Sequence, residues 1–337
     1  MKVQNDTPME FFALPGRGPS DNPVLTLVVK GTFRMQANEP ATLAAEQDPI
    51  IFGDQLQDPE KGGSTVFEDD LATFKPRSDV VIVGKAFAPK GSAVHALDVG
   101  FRVGELKKII RVIGNRYWRT GGLLGNITAS KPEPFTEMDL IYENAFGGMD
   151  MKWGDYCAEN PVGRGMFSKK AKKEVLDNKP LPNIEDPNNL IKSWKDRPKP
   201  VGFGFIGKGW SQRIAFLGTY DEKWKRERYP ERPLDFKFDY FNAAPRDQQV
   251  EGYLKGDEKM ELIHLTPDDR IEFQLPGKRP TVSVSRSFEG STFEDVRLNL
   301  DTLCLMPAEE RFYLVWRGLV PIEDLDAPDV ARVEILM

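Results

Sequence analysis

Three patterns in this chain have residue types able to do chemistry. Gly202-Phe-Gly-Phe-Ile-Gly207 has the spacing of a glycine loop that cradles a dinucleotide pyrophosphate. That loop works only between an apolar strand and a helix whose first amides meet the phosphates. Arg197-Pro-Lys-Pro200 precedes it and Lys208-Gly-Trp210 follows, so neither flank suits. The segment is expected to be a glycine-rich loop that inserts Phe203 and Phe205 into a core. The two histidines, His95 and His264, both fall in strand-like segments. A zinc site or a Ser-His-Asp arrangement would need one of them to meet distant partners. Each reads as an ordinary strand residue. Acidic runs occur at Glu68-Asp69-Asp70, Asp221-Glu222, Asp257-Glu258 and Asp268-Asp269. Two carboxyls facing across a cleft can hydrolyse a glycoside, yet no spacing here marks out an acid and a base. The Glu68 to Asp70 run is expected to be a solvated loop or a turn that caps nearby amides. The expectation is a chain with no catalytic residues, no metal and no cofactor; a carbohydrate-active hydrolase using paired carboxylates is the alternative.

A second group of residues suits recognition. Gly114-Asn-Arg-Tyr-Trp-Arg119 places Arg116 beside Trp118, and Trp, Tyr and Arg are the types enriched where binding energy concentrates. Stacking of the same residues inside the fold is the other account. Tyr142-Glu-Asn-Ala-Phe-Gly-Gly148 and Asn160-Pro-Val-Gly-Arg-Gly165 join polar side chains to glycines that permit positive φ. They read as internal scaffold, or as a polar rim around an exposed aromatic such as Tyr142 or Trp153. Pro200 to Pro245 mixes aromatics, glycines, prolines and paired charges with no sustained period, the composition of a binding surface or a shaped core. Arg116, Trp118, Tyr142, Arg164 and Trp224 are the expected partner-binding residues. At least one of Trp118, Tyr142 and Trp224 is expected at the surface.

Elements must hold these residues in place. Val24 to Met35, Val80 to Phe87, Ala93 to Val103 and Leu106 to Ile113 read as strands separated by Gly and Pro turns. Later strands are expected at Gly256 to Leu265, Arg270 to Leu275, Pro280 to Phe288, Asp295 to Leu305 and Arg311 to Pro321. Short helices are expected over Phe167 to Leu176 and Asp221 to Tyr229, the second with Glu222 and Arg226 spaced to pair. The fold is expected to be mainly β, an antiparallel sandwich or barrel-like arrangement. Its expected parts are an N-terminal lobe over 1–150, a proline-rich ordered connector over 151–199 and a C-terminal lobe over 200–337, packed as one unit.

The formal charge of −6 comes from 46 basic and 52 acidic residues, so no strongly basic face for nucleic acid is expected. Cys157 and Cys304 stand far apart and read as two buried free thiols of a reducing compartment. The first residues lack a signal-peptide run, and the apolar strings are too short to span a bilayer. A cytoplasmic protein without membrane insertion is expected.

The motifs together resemble a known family. Lys30-Gly-Thr-Phe33, Lys75-Pro-Arg-Ser-Asp-Val80, Gly114-Asn-Arg-Tyr-Trp118, Tyr142 to Gly148 and Asn160 to Gly165 run in its order. Gly218-Thr-Tyr-Asp221 with Trp224, Asp235-Phe236, Phe241-Asn-Ala-Ala-Pro245, Gly256-Asp-Glu258 and Trp316-Arg-Gly318 continue it. The chain is similar to a bacterial family catalogued as a domain of unknown function and associated with type VI secretion. Its members accompany PAAR-type spike-tip proteins, pentapeptide-repeat proteins or toxins. The match spans nearly the whole chain and is thinnest over Lys169 to Lys199. The resemblance implies an adaptor or chaperone that binds an effector or a PAAR-type spike-tip protein for loading, and it brings no catalytic residues. A structural component carried on the spike is a further alternative.

Overall fold

The computed structural model describes residues 1–121, 126–288 and 292–337. Strand Pro23–Arg34, twelve residues long, is buried from Val24 to Phe33. Side chains alternate along a strand, so Leu25, Leu27, Val29 and Phe33 join one core. Val28 joins a second core on the opposite face, beside buried Thr26, Lys30 and Thr32. Burial on both faces explains the nearly unbroken apolar run in this strand.

Pro23–Arg34 pairs antiparallel with Glu10–Arg17 on one side and with Arg311–Pro321 on the other. Arg311–Pro321 pairs with Asn299–Met306, which runs parallel to Ser78–Ile82. Gln249–Val250 and Thr42–Leu43 complete a mixed seven-stranded sheet. A five-stranded sheet holds the hairpin Ala96–Val103 with Leu106–Ile113, then Lys259–Ile263 and Arg270–Gln274, with Ile184–Glu185 at its other edge. Gly104, at φ 54°, starts the two-residue loop of that hairpin. Lys2–Asn5, Arg332–Leu336, Thr281–Ser285 and Glu294–Val296 form a four-stranded sheet. One apolar core joins all three sheets. It takes Leu27 and Trp316 from the first, Phe101 and Leu262 from the second, and Val282 and Val333 from the third.

The expected mainly β fold is present, in mixed as well as antiparallel sheets, and no sheet closes into a barrel among the described residues. The boundaries expected near 150 and 200 do not coincide with sheet boundaries. The central sheet draws on 10–82 and 249–321, and the second sheet on 96–113, 184–185 and 259–274. Strands pair across long sequence separations, which local composition does not encode. The helix expected over Phe167 to Leu176 is a single turn, Lys173–Leu176. The Ser168 amide is committed to the Asp150 carboxylate at 2.9 Å, and crowded lysines repel along a helix. The second helix spans Glu222–Glu227, capped by Asp221. Arg226 pairs with Glu227 rather than with Glu222.

Cys304 is fully buried on the outer face of the central sheet, and burial pushes its thiol pKa up to about 12. Cys157 is only half-buried, against expectation, at the margin of the small core around Trp118; desolvation raises its pKa as well. The thiolate is the reacting species. A thiol-disulfide reagent at pH 8 should therefore titrate at most one thiol per folded chain, and both after denaturation. Rapid reaction of both in the native state would place Cys304 outside the core.

Candidate functional site

The outer face of the central sheet carries paired charges, Lys30, Lys75, Asp79 and Arg317 from the motifs and the others from elsewhere in the chain. Lys30 Nζ donates to Asp70 at 2.9 Å and to the Pro49 carbonyl at 3.0 Å, and lies 4.2 Å from the Tyr313 ring centre. Arg317 Nε meets Asp301 at 2.6 Å, and its Nη1 donates to the carbonyls of Asp70 and Ala72. Arg213 meets both oxygens of Glu68, at 2.6 and 3.0 Å. Lys208 joins Asp54 and Asp69. The Glu68 to Asp70 run is thus no solvated loop: Glu68 and Asp70 are buried, and each of the three carboxylates faces a cation. Burial pushes the Glu68 carboxyl up, with Arg213 pulling the other way. Asp70 also caps the Ile51 amide. Buried charges persist only when paired and hydrogen-bonded in this manner.

Asp79 is the most heavily engaged member. It accepts from Lys75 at 2.9 Å, Asn242 Nδ2 at 3.0 Å, and the amides of Ala243 and Ala244 at 2.9 and 3.2 Å. One buried carboxylate thereby ties the Lys75-Pro-Arg-Ser-Asp-Val80 motif to Phe241-Asn-Ala-Ala-Pro245. Burial works against the Lys75 charge, but Asp79, Asp301 and Glu68 outweigh it and hold its pKa above the ordinary value.

A second knot joins Tyr142 to Gly148 with Asn160 to Gly165. Phe146 and Gly147 pair in parallel with Arg164 and Gly165. Asn160 Nδ2 donates to the carbonyls of Tyr142 and Phe146. Arg164 Nε donates to the Glu143 carbonyl at 2.7 Å, and its Nη2 to Asn144 Oδ1 at 2.7 Å. Glu143 accepts from the amide and hydroxyl of Ser64 at 2.7 Å each. Gly148 sits at φ 86°, where a Cβ would collide with the Gly163 carbonyl. Gly148→Ala should cost at least about 2 kcal/mol through strain and overpacking, read from the urea midpoint. A loss within experimental error would show that the two segments separate freely.

The expected recognition residues divide between interior and surface. Trp118 is 2% exposed, in a small core with Phe146, Leu181 and Ile191. Arg116 is buried against Glu185 and the Pro182 carbonyl. Tyr142 is buried edge-on to Trp210, and burial pushes its hydroxyl pKa well up. These three are packing residues, since the folded-back 180–185 segment and the Gly202 loop cover them. Arg164 is half-buried, with Nε and Nη2 donating inside the knot and Nη1 donating to Asn183. Trp224 is half-buried and reaches the surface. The histidines lie just beyond strand ends, His95 with Nδ1 2.8 Å from the Pro132 carbonyl and His264 2.9 Å from that of Asp98. No group of three metal-ligating side chains converges among the described residues.

The 200–245 stretch carries two features that face outward. Phe203 and Phe205 anchor it, and they enter opposite cores, Phe203 edge-on to Phe101 at 5.3 Å. Over them lies a cleft of about 660 Å³, lined by Tyr142, Val201, Phe216, Asn242, Pro245 and charged residues around its mouth. Farther along, the Asp221-capped turn carries Trp224 between Tyr220 and Tyr229, with ring centres 4.6 and 5.8 Å away. Tyr229 is 70% exposed and Leu234 79%. Arg228 to Asp21 and Arg17 to Glu231 fasten this aromatic cluster to the turn after Glu10–Arg17. The sequence pointed to Trp224. Its flanking tyrosines stand just outside the helix, Tyr220 before it and Tyr229 after it, and their placement on either side of Trp224 was the available signal.

No helix among the described residues is long and apolar enough to cross a membrane. Residues 20–317 match a family model described as an uncharacterized protein conserved in bacteria, DUF2169. No curated protein and no solved structure matches the chain.

Proposed function

This chain belongs to the DUF2169 family, and from that premise we propose that it is a non-enzymatic adaptor holding a type VI secretion effector or a PAAR-type spike-tip protein for loading. The solvent-facing cluster of Tyr220, Trp224 and Tyr229 carries the reading. Trp and Tyr dominate binding hot spots when charged neighbours rim them, and Lys223, Lys225 and Arg226 supply that rim. The order of the motifs supports the secretion setting. The buried acids Glu68, Asp70, Asp79 and Asp301 are each paired with a cation against the central sheet. That arrangement supports a scaffold that presents a surface. Purified chain should retain a spike-tip protein or a toxin encoded by its neighbouring genes. Retention of none of those products would remove the adaptor reading.

A further inference from the structure

The cleft of the 200–245 stretch contains two amide side chains whose oxygens are unanswered. Asn242 is 2% exposed and lines the cleft. Its Nδ2 donates to the Arg77 carbonyl at 2.9 Å and to Asp79 Oδ1 at 3.0 Å. Both neighbours accept only, so the amide cannot be turned round. The atom left over is Oδ1, buried and without a hydrogen-bond partner. Gln212 repeats the pattern in the same cleft. Its Nε2 donates to the Glu159 carbonyl at 2.8 Å, and its buried Oε1 has no partner. An unanswered buried acceptor costs about 1–3 kcal/mol, and native proteins keep few of them. Whatever completes these two must be a donor.

Charge narrows the class further. Of the bases lining the cleft, Arg77 meets Asp239, Lys108 meets Asp247, Arg213 meets Glu68 and Arg246 meets Glu251. Lys199, exposed, has no ion pair among the described residues. Glu159 and Asp186 also line the cleft and enter no ion pair there; Asp186 accepts the Asn188 amide, and its field reaches Lys108. Two carboxylates and two amide oxygens therefore await donors against one uncommitted ammonium. Val201, Phe216 and Pro245 add apolar wall.

We propose that this cleft binds a guanidinium or ammonium group carried on an aliphatic stem, as on an arginine or lysine side chain of a partner or on a free alkylamine. A guanidinium has five donors in a fixed fork and is weakly hydrated. It offers donors of the kind the amide oxygens and the carboxylates lack, and its stem suits the apolar wall.

Calorimetric titration of the full chain tests this with Nα-acetyl-arginine amide, agmatine and the neutral isostere Nα-acetyl-citrulline amide. The arginine derivative should bind at least about tenfold tighter than the citrulline derivative. The double variant Glu159→Gln, Asp186→Asn should abolish that preference with an unchanged melting temperature. Agmatine binding as tightly as the arginine derivative assigns a free amine; weaker agmatine binding assigns a side chain within a peptide. Equal binding of the citrulline derivative, an undiminished preference in the double variant, or no heat with the arginine derivative overturns the proposal. Each of these readouts is separate from retention of a spike-tip protein, so either reading can fail alone.

Discussion

Asp79→Ala should lower the unfolding free energy by about 3–5 kcal/mol, the cost of leaving a buried ion-pair partner alone. The substitution takes away the ion-pair partner of the Lys75 ammonium, leaving it one hydrogen bond, to the Thr302 hydroxyl at 3.0 Å, and the fields of Asp301 and Glu68. It also leaves the Ala243 and Ala244 amides and one Asn242 donor without their acceptor. Such a loss is a large fraction of the 5–15 kcal/mol that holds an ordinary domain together. The urea midpoint should fall at an unchanged slope. Replacing both partners, Lys75→Met with Asp79→Leu, should recover part of the loss by removing the stranded charge, while the amides stay unanswered. A single-variant effect below about 1 kcal/mol would mean that Asp79 does not join the two motifs.

Trp224→Ala should weaken partner retention by about 2 kcal/mol or more, roughly thirtyfold in affinity. The indole packs between Tyr220 and Tyr229, and its Nε1 donates to the Glu231 carbonyl at 2.7 Å. Its removal therefore loosens the whole cluster as well as deleting a contact. Tyr229→Ala separates the two effects. That side chain is mostly exposed and makes no hydrogen bond among those described, so its loss should reduce binding with little change in the melting temperature. Full retention by both variants would move the partner surface elsewhere.

Several elements were readable from short stretches. The hairpin joining Ala96–Val103 to Leu106–Ile113 follows from β-branched runs around Gly104-Glu105. Arg311–Pro321 and the short helix near Asp221 were equally plain. Phe203 and Phe205 were expected in a core, and both are there. The burial of Trp118, Tyr142 and Arg116 was not readable, because a loop aromatic looks the same in sequence whether or not another segment covers it. The cleft was equally hidden. Asn242 and Gln212 are unremarkable residues until their donors are seen to be spent and their oxygens left over.

Neighbouring side chains and backbone preferences act over a few residues, so strand periods, turns and caps could be inferred from their order along the chain. Charge pairing acts through space. Lys30 meets Asp70 across 40 positions, Arg213 meets Glu68 across 145, and Lys208 meets Asp54 across 154. Nothing local distinguishes those acids from solvated ones; folding alone chose their partners, since water must be removed before a buried charge needs its counterion.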